Sequence, residues 1–488
     1  MIRHRGFAPV LGLFALAVCD LAVADPWLAP GDSGLRSDIQ LLADAGILHG
    51  PVTTWPISWP DVARDVRTAH DEGLDAATAA ALTRVRRLSG YASTDGFAGT
   101  GLSASIAHDP TMLRGFEDTP REEGELAMRA SWLSEHFALN LQGSVVANPS
   151  DGKQWRADGS YVGVNFGNYM LSAGLMERWW GPGWNGSLAL STNARPIPTV
   201  TLERNYTDAF KTRWLSWIGP WRASIALGQT EEHDVAVPKV RILEARVNFK
   251  PRPWLEFGLT RTAQFCGGDR PCDWDTFTDM LFGRDNTVDG DDPLEEPGNQ
   301  MAGYDLRVRS PWKPLPMAFY TQWIGEDEAG GLPSKFIGLF GLEYWGSSPW
   351  GGYRLRAEYA DTACVFNGDP EYNCAYRHPI YPQGYTYRGR IIGHSLDNDS
   401  RMFTLAGLLT RSNGDVLSLE FNRAKLNRDG TGTHAISEVP ADLDNVELRY
   451  SKVFGIGKFS IGLGFDDMGT TEGSSSDVRG FLGWQQGI

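Results

Sequence analysis

The chain has 488 residues, with 60 acidic against 45 basic side chains, a formal net charge of −15, pI near 5.1 and mean hydropathy −0.30. This acid excess argues against nucleic acid as a partner and against a basic surface docked on anionic headgroups, since both require clustered positive charge. Past the N-terminus no apolar run approaches the ~18–20 residues that a helix needs to cross a bilayer, but a strand crosses with ~9–11 residues of alternating pattern, so a helical membrane protein is excluded and a membrane barrel is not.

Residues 1–24 read as a secretory signal, with Arg3, His4 and Arg5 leading, an apolar stretch from Phe7 to Cys19, and Ala22-Val23-Ala24 offering a cleavage site before Asp25. A lipoprotein reading at Leu16 to Cys19 is weaker, because Val18 is bulky where a small residue is expected. From Asp32 to about Ala92 the period is helical. Leu35, Ile39 and Leu42 recur after Asp32 and stop at Gly46; Pro60 opens a segment with Val62 and Val66; Asp75 opens a third with Leu82, Val85 and Leu88. Residues 25–96 are expected to form a small helical bundle, with Pro51, Trp55, Pro56 and Trp59 as linker cover.

Beyond Gly99 the period changes to two. Phe137, Leu139, Leu141 and Val145 alternate with His136, Asn140, Gln142 and Ser144, and Leu243, Ala245, Val247 and Phe249 with Glu244, Arg246 and Asn248. Such alternation suits a sandwich, whose apolar faces meet, or a membrane barrel, whose apolar face meets lipid. The connections favour the barrel: short Gly- and Pro-bearing turns are expected to alternate strictly with long polar loops such as 264–302 and 362–399. Expected strands are roughly 99–107, 125–132, 138–147, 161–167, 169–178, 201–217, 220–229, 239–249 and 254–263. The second half adds 303–309, 316–324, 335–345, 352–361, 400–411, 415–425, 443–453, 458–466 and 477–488. The fold class is thus an all-β transmembrane barrel of about eighteen antiparallel strands over 97–488, with a periplasmic helical bundle before it; an even count returns the C-terminus to the bundle side. Trp221, Trp254, Trp312 and Trp350, each beside a Pro at a short turn, are expected to form an interfacial girdle.

One irregular loop stands out. Glu177-Arg178-Trp179-Trp180-Gly181-Pro182-Gly183-Trp184 runs on to Asn193-Ala194-Arg195-Pro196-Ile197-Pro198, packing three Trp, two Arg and several strand breakers together. Aromatic faces stack on sugar rings and Arg forks bind hydroxyl or acidic groups bidentately, so Arg178, Trp179, Trp180, Trp184, Asn193 and Arg195 are candidates for glycan contact. The plainer reading makes the Trp residues girdle and pairs Arg178 and Arg195 with lumen carboxylates such as Glu177 or Glu203. In loop 362–399, Tyr372, Tyr376, Tyr381, Tyr385 and Tyr387 lie among Arg377, Arg388 and Arg390, and suit sugar stacking or loop packing equally.

Loop 264–302 is acidic. Asp285, Thr287, Asp289, Gly290, Asp291 and Glu296 fall at positions 1, 3, 5, 6, 7 and 12 of a calcium-loop template, but Thr287, Pro293 and the lack of flanking helices make a solvated loop the default. The four mature cysteines fall in two close pairs, Cys266 with Cys272 and Cys364 with Cys374, which in an oxidising compartment most simply form disulfides; neither pair has zinc-site spacing. No catalytic or cofactor motif is present, and glycoside hydrolysis by some carboxylate pair has no positive support.

The wording of the chain resembles the capsule assembly Wzi family of bacterial outer-membrane proteins. The resemblance rests on Leu35 to Asp44 with Trp55-Pro56, on Arg178 to Pro198, and on Gly283-Arg284-Asp285-Asn286 followed by Glu296 to Asp305. It implies an eighteen-stranded outer-membrane barrel with a blocked lumen, acting as a non-enzymatic lectin without cofactor. Its implied partners are capsular or extracellular polysaccharide, outer-membrane lipid and the polysaccharide export machinery. Supporting polar contacts are expected from Asp285, Asn286, Asn299 and Gln300. A porin that conducts small solutes is the rival reading.

Overall fold

The period-two segments close on themselves. In the computed structural model, which describes residues 25–488 apart from 93–94, 269, 283–297, 313, 330–331, 366–367, 432 and 487–488, they form a closed antiparallel barrel. The signal at 1–24 and the calcium-loop template at Asp285 to Glu296 lie outside the described residues. The wall runs β1 (Gly96–His108), β2 (Gly124–Leu133), β3 (Phe137–Ala147), β4 (Trp155–Arg156, resumed at Tyr161–Phe166), β5 (Tyr169–Gly174), β6 (Thr199–Arg204), β7 (Trp221–Gln229), β8 (Arg241–Arg252) and β9 (Leu255–Phe265). It continues with β10 (Gly298–Arg309), β11 (Met317–Ala329), β12 (Leu332–Ser348), β13 (Gly351–Asp361), β14 (Arg401–Thr410), β15 (Val416–Leu426), β16 (Ala441–Phe454), β17 (Gly457–Thr470) and β18 (Gly473–Gln485). β18 closes the cylinder on β1, with Gly480 opposite His108 and Gln485 opposite Ser103.

Alternation explains the wall. Along β15, Leu417, Leu419 and Phe421 face outward and are exposed, whereas Glu420 and Asn422 face the lumen and are buried. A water-exposed band of this kind would forfeit ~25 cal/mol for each Å² of apolar surface, so the exterior is built for lipid. Trp254, Trp312 and Trp350 stand exposed at the turn end as expected of a girdle.

Three corrections concern connections. The expected strand 201–217 stops at Arg204, because the following side chains are claimed elsewhere: Ser58 donates to Asn205 and Thr207 donates to Asp61 at 2.7 Å, both on the helical bundle. Residues 205–220 are therefore a long excursion at the turn end. Long and short connections also do not alternate strictly, since β17 and β18 meet at the loop end in a tight hairpin with Thr470 opposite Gly473. Third, loop 264–302 contains a helix, α4 (Trp274–Phe282), whose Phe277 packs with Leu243, Ala263 and Phe265 on the outer wall.

The N-terminal helices α1 (Ser33–Asp44), α2 (Trp59–Thr68) and α3 (Ala76–Ala92) share a core of Ile39, Leu42, Val62, Val66, Leu82 and Val85. Asp32 caps α1 by accepting from Leu35 N at 2.8 Å, and Ser58 caps α2. The bundle plugs the turn end. Asp44, an acid at the wrong end of the α1 dipole, is compensated by a fork from Arg307 of β10 at 2.7 and 2.9 Å. Arg84 of α3 holds Asp38 of α1, and Lys458 of β17 reaches Asp32 at 2.7 Å. These pairs are mostly buried, so removing one partner strands the other at a cost of ~3–5 kcal/mol.

Of the expected linker cover between α1 and α2, Trp55 and Trp59 are buried in the bundle's core cluster. The strap Thr53-Thr54-Trp55 also enters the lumen: Thr53 N donates to Glu256 at 2.8 Å and Arg246 donates to Thr54 Oγ1 at 2.7 Å.

Candidate functional site: the lumen plug and the loop face

The Arg178 to Arg195 loop leaves β5 at the loop end and folds down into the barrel, where it meets that strap. Trp179 pairs with Trp55 and Trp180 with Thr54 in a two-rung antiparallel ladder, extended by Gly181 N donating to Thr53 O at 2.9 Å. Gly181 is required there, because its φ of 144° suits glycine and a Cβ would press on the Gln322 side chain at 2.8 Å. Trp55, Phe116 and Trp179 then stack edge to face at centroid distances of 5.0 and 5.4 Å.

Trp184 is the best-held residue of the loop. Its backbone N donates to Glu358 at 2.8 Å and its indole N to Glu343 at 2.9 Å, while the guanidiniums of Arg36 and Arg356 lie over its ring at 4.2 and 4.5 Å. Gln322 of β11 clamps the loop a third way, donating to Trp180 O and accepting from Leu188 N, each at 2.9 Å. Trp179, Trp180 and Trp184 retain only 0, 1 and 3% of their exposure, so no ring face is open to a sugar. Their place is neither the girdle nor an open binding surface; they fill the lumen.

Loop 362–400 lies over this plug. Tyr376, Tyr381, Tyr385 and Tyr387 are buried and only Tyr372 is half-exposed. The Tyr376 hydroxyl donates to Leu188 O at 2.7 Å, Ser191 Oγ donates to Gly393 O at 2.5 Å, and Asn193 Nδ2 donates to Ile391 O at 2.9 Å, so the two loops interlock. His394 is enclosed beside Gly186, and burial pushes its imidazole down to about 3, keeping it neutral.

The other expected residues are dispersed. Arg178 is buried, bonded to Thr199 at 3.0 Å and lying 3.8 Å from Glu244, not paired with Glu177 or Glu203. Arg195 forks onto Asp158 at 2.7 Å through both its Nε and Nη2 and also reaches Asp151; burial opposes its charge, but these two carboxylates hold it above the ordinary Arg value. Glu177 instead meets Arg121 at 2.8 Å, and burial pushes its carboxyl up despite that cation. Glu203 faces Trp27 and, at 3.6 Å, Arg222. Asn299 points inward to Gln264 at 3.0 Å, whereas Gln300 lies on the outer face of the wall, bonded by Arg261 at 2.9 Å. Asp285 and Asn286 lie outside the described residues. Both expected disulfides are formed, Cys266 with Cys272 and Cys364 with Cys374.

Glu343, Glu358, Gln322 and Arg36 were not singled out from the sequence, although they hold the plug. Glu343 and Glu358 carry a signal, each an acid in the lumen phase of an alternating strand, but their partner Trp184 is about 160 residues distant in the chain (sequence separations of 159 and 174) and nothing in the spacing names it. Beside the motif, Glu177, Arg178, Thr192, Arg195 and Glu244 line a small recess.

A greased cylinder with a polar lumen stoppered from both ends defines an outer-membrane β-barrel built as something other than an open pore. Comparison with known proteins specifies which. The chain belongs to the capsule assembly protein Wzi family, whose model matches residues 93–467. A protein of the cps region of Klebsiella pneumoniae is 34% identical over 362 residues, covering 72% of this chain and 68% of that one. The Escherichia coli outer-membrane protein Wzi, described as a carbohydrate-binding β-barrel involved in group 1 capsule assembly, superposes with a TM-score of 0.83 at 28% identity over 94% of this chain and 99% of that one.

Proposed function

We propose that this outer-membrane protein binds capsular or extracellular polysaccharide at the cell surface and anchors it there, without chemically altering it. The observation that carries the reading is the clasp of Trp179 and Trp180 on Thr54 and Trp55 in mid-lumen, which leaves the barrel as a scaffold for its outer loops. Membership of the Wzi family, and the carbohydrate binding described for the Escherichia coli protein, support it. Arg178, Trp179, Trp180, Trp184 and Asn193 act in this reading as supports. Contact with polymer falls to partly open groups above them: Arg195 with Asp158, and Tyr372 with Arg428 over its ring at 5.6 Å. Arg–carboxylate pairs offer sugar hydroxyls a donor and an acceptor together, and Tyr offers a stacking face. Export machinery at the periplasmic side is the further partner we propose.

The test is a deletion strain. Polymer should still be made but be shed into the medium, and the chain length of polymer incubated with purified protein should not change. Unchanged attachment would refute the anchoring role, and shortened polymer would refute the non-enzymatic one. Steady single-channel currents in planar bilayers would favour the porin.

A further inference from the structure

The excursion between β6 and β7 starts against the helical bundle, where Asn205 and Thr207 are bonded, and its later part lies against the outer side of the wall at the turn end. Arg204 shares the outward face of β6 with the exposed Val200 and Leu202, and Trp221 shares that of β7 with Ile225 and Leu227. The Arg204 guanidinium lies 3.9 Å over the Trp221 ring and bonds Trp221 O at 2.6 Å and Asp208 O at 2.8 Å, while Phe210 stacks on Trp221 at 4.7 Å. At the far end Trp217 meets Phe249 of the outer wall edge-on at 6.4 Å, and Gly219, at φ 72°, lies so close to Lys250 O that a Cβ would collide with it. Phe210 and Trp217 therefore pin residues 210–219 to the lipid-facing surface. The tip is presented outward, with Lys211, Arg213 and Trp214 exposed, Trp214 at 75% and Trp217 at 60%. Among the described residues neither Lys211 nor Arg213 has an ion-pair partner, and the nearby Asp208 is engaged by Arg64 at 3.0 Å.

From this geometry we propose that residues 210–219 form a docking surface for anionic phospholipid of the inner leaflet, with Trp214 and Trp217 at the boundary of headgroups and acyl chains and Lys211 and Arg213 on the phosphates. The occupant follows from continuity with the wall. Phe249, Phe257, Tyr304 and Trp323 form a row of outward rings at successive distances of 5.3, 6.3 and 6.1 Å, and Trp217 extends that row to the rim. Indole rings prefer this depth, since one edge can hydrogen-bond while the body is apolar. Two exposed cations just beyond them sit where phosphates lie. The chain's overall negative charge makes the local positive pair the more specific, because its attraction decays within about 8 Å at physiological ionic strength.

The full-length protein is reconstituted into vesicles of phosphatidylcholine alone or mixed with phosphatidylglycerol, and hydrogen exchange is followed on the 205–220 peptide. Exchange should slow in the mixed vesicles, and raised salt should abolish the difference in the wild type. The variant K211Q/R213Q should lose the headgroup dependence and retain phosphatidylglycerol roughly twenty- to thirtyfold more weakly in native mass spectrometry. W214A/W217A should lose protection in both vesicles, with heat-modifiable gel mobility reporting that the barrel is intact. Equal exchange of this peptide in both vesicles and in detergent overturns the proposal, as does a headgroup effect that survives K211Q/R213Q.

Discussion

Glu358 of β13 is the acceptor on which the tip of the plug hangs, and E358Q isolates its part. Its two carboxylate oxygens take three donors: Trp184 N at 2.8 Å, Tyr320 hydroxyl at 2.7 Å and Asn185 N at 3.0 Å. The first two go to one oxygen and the third to the other. An amide of the same shape can keep its oxygen on the shared side, which leaves its NH2 facing the Asn185 N–H. One bond to a charged acceptor is lost, ~1.5–3 kcal/mol, and a buried donor is stranded, ~1–3 kcal/mol, so local opening of the loop becomes easier by about 3–5 kcal/mol. At 1.4 kcal/mol per decade the Trp184 and Asn185 amides should exchange roughly a hundred- to several-thousandfold faster in a hydrogen-exchange experiment on the reconstituted barrel. Single-channel currents should stay at baseline, because Glu343 and two guanidiniums still hold the Trp184 side chain. Exchange that is unaltered at these two amides would refute the claim that Glu358 holds the plug.

Other perturbations read other parts of the stopper. Replacing residues 175–198 by a two-residue turn leaves the β5–β6 ladder, where Gly174 already faces Thr199, and should turn a silent barrel into a conducting one in planar bilayers. G186A drives a methyl into the enclosed His394 ring and should destabilise the interlocked loops by ~1–3 kcal/mol, seen as faster proteolysis of 362–400. His394 is held at about 3 against an ordinary 6.5, so the folded loops bind fewer protons than the opened ones. The His394 contribution to their stability is whole above pH 6.5 and falls by ~1.4 kcal/mol per unit as pH drops toward 3, opposed below about 6 by Asp399 of the same loop, whose carboxyl is raised by burial; the difference in hydrogen exchange of 385–396 between wild type and H394Q should follow that slope.

The wall was legible because lipid outside and water inside impose one rule on every strand. The interior obeyed no such rule. Alternation places Glu343 and Glu358 in the lumen, but their partnership with Trp184 depends on how far a loop descends, which period cannot report. The same ambiguity makes residues 201–217 resemble one long strand, since Leu202 and Arg204 keep wall phase and the next residues, polar and aromatic by turns, mimic it while Asn205 and Thr207 bond the bundle. The composition of the Arg178–Arg195 loop signalled a special segment correctly, since rigid rings and guanidiniums are costly to assemble without purpose. Those groups suit sugar and plug alike, however, and only burial tells them apart.

Interlocking has a consequence for binding. The outer loops are tied to one another at Ser191, Asn193 and Tyr376 and, through the plug, to the wall and bundle, so little loop entropy remains to be lost when polymer arrives. The groups left open are few, however, and several are already paired, as Arg195 is with Asp158. A single contact of that sort is weak, because each hydroxyl must displace water from a satisfied pair. A capsule chain repeats its unit many times and can meet many barrels at once, so each additional contact forms at an effective concentration near millimolar and avidity rises by ~10²–10⁴ over one site. A short soluble oligosaccharide should therefore compete poorly, even at a rigid site, with long polymer for the protein in a surface-binding assay. Equal competition by the two would mean that one deep, strong site exists and that these loops do not supply the contact.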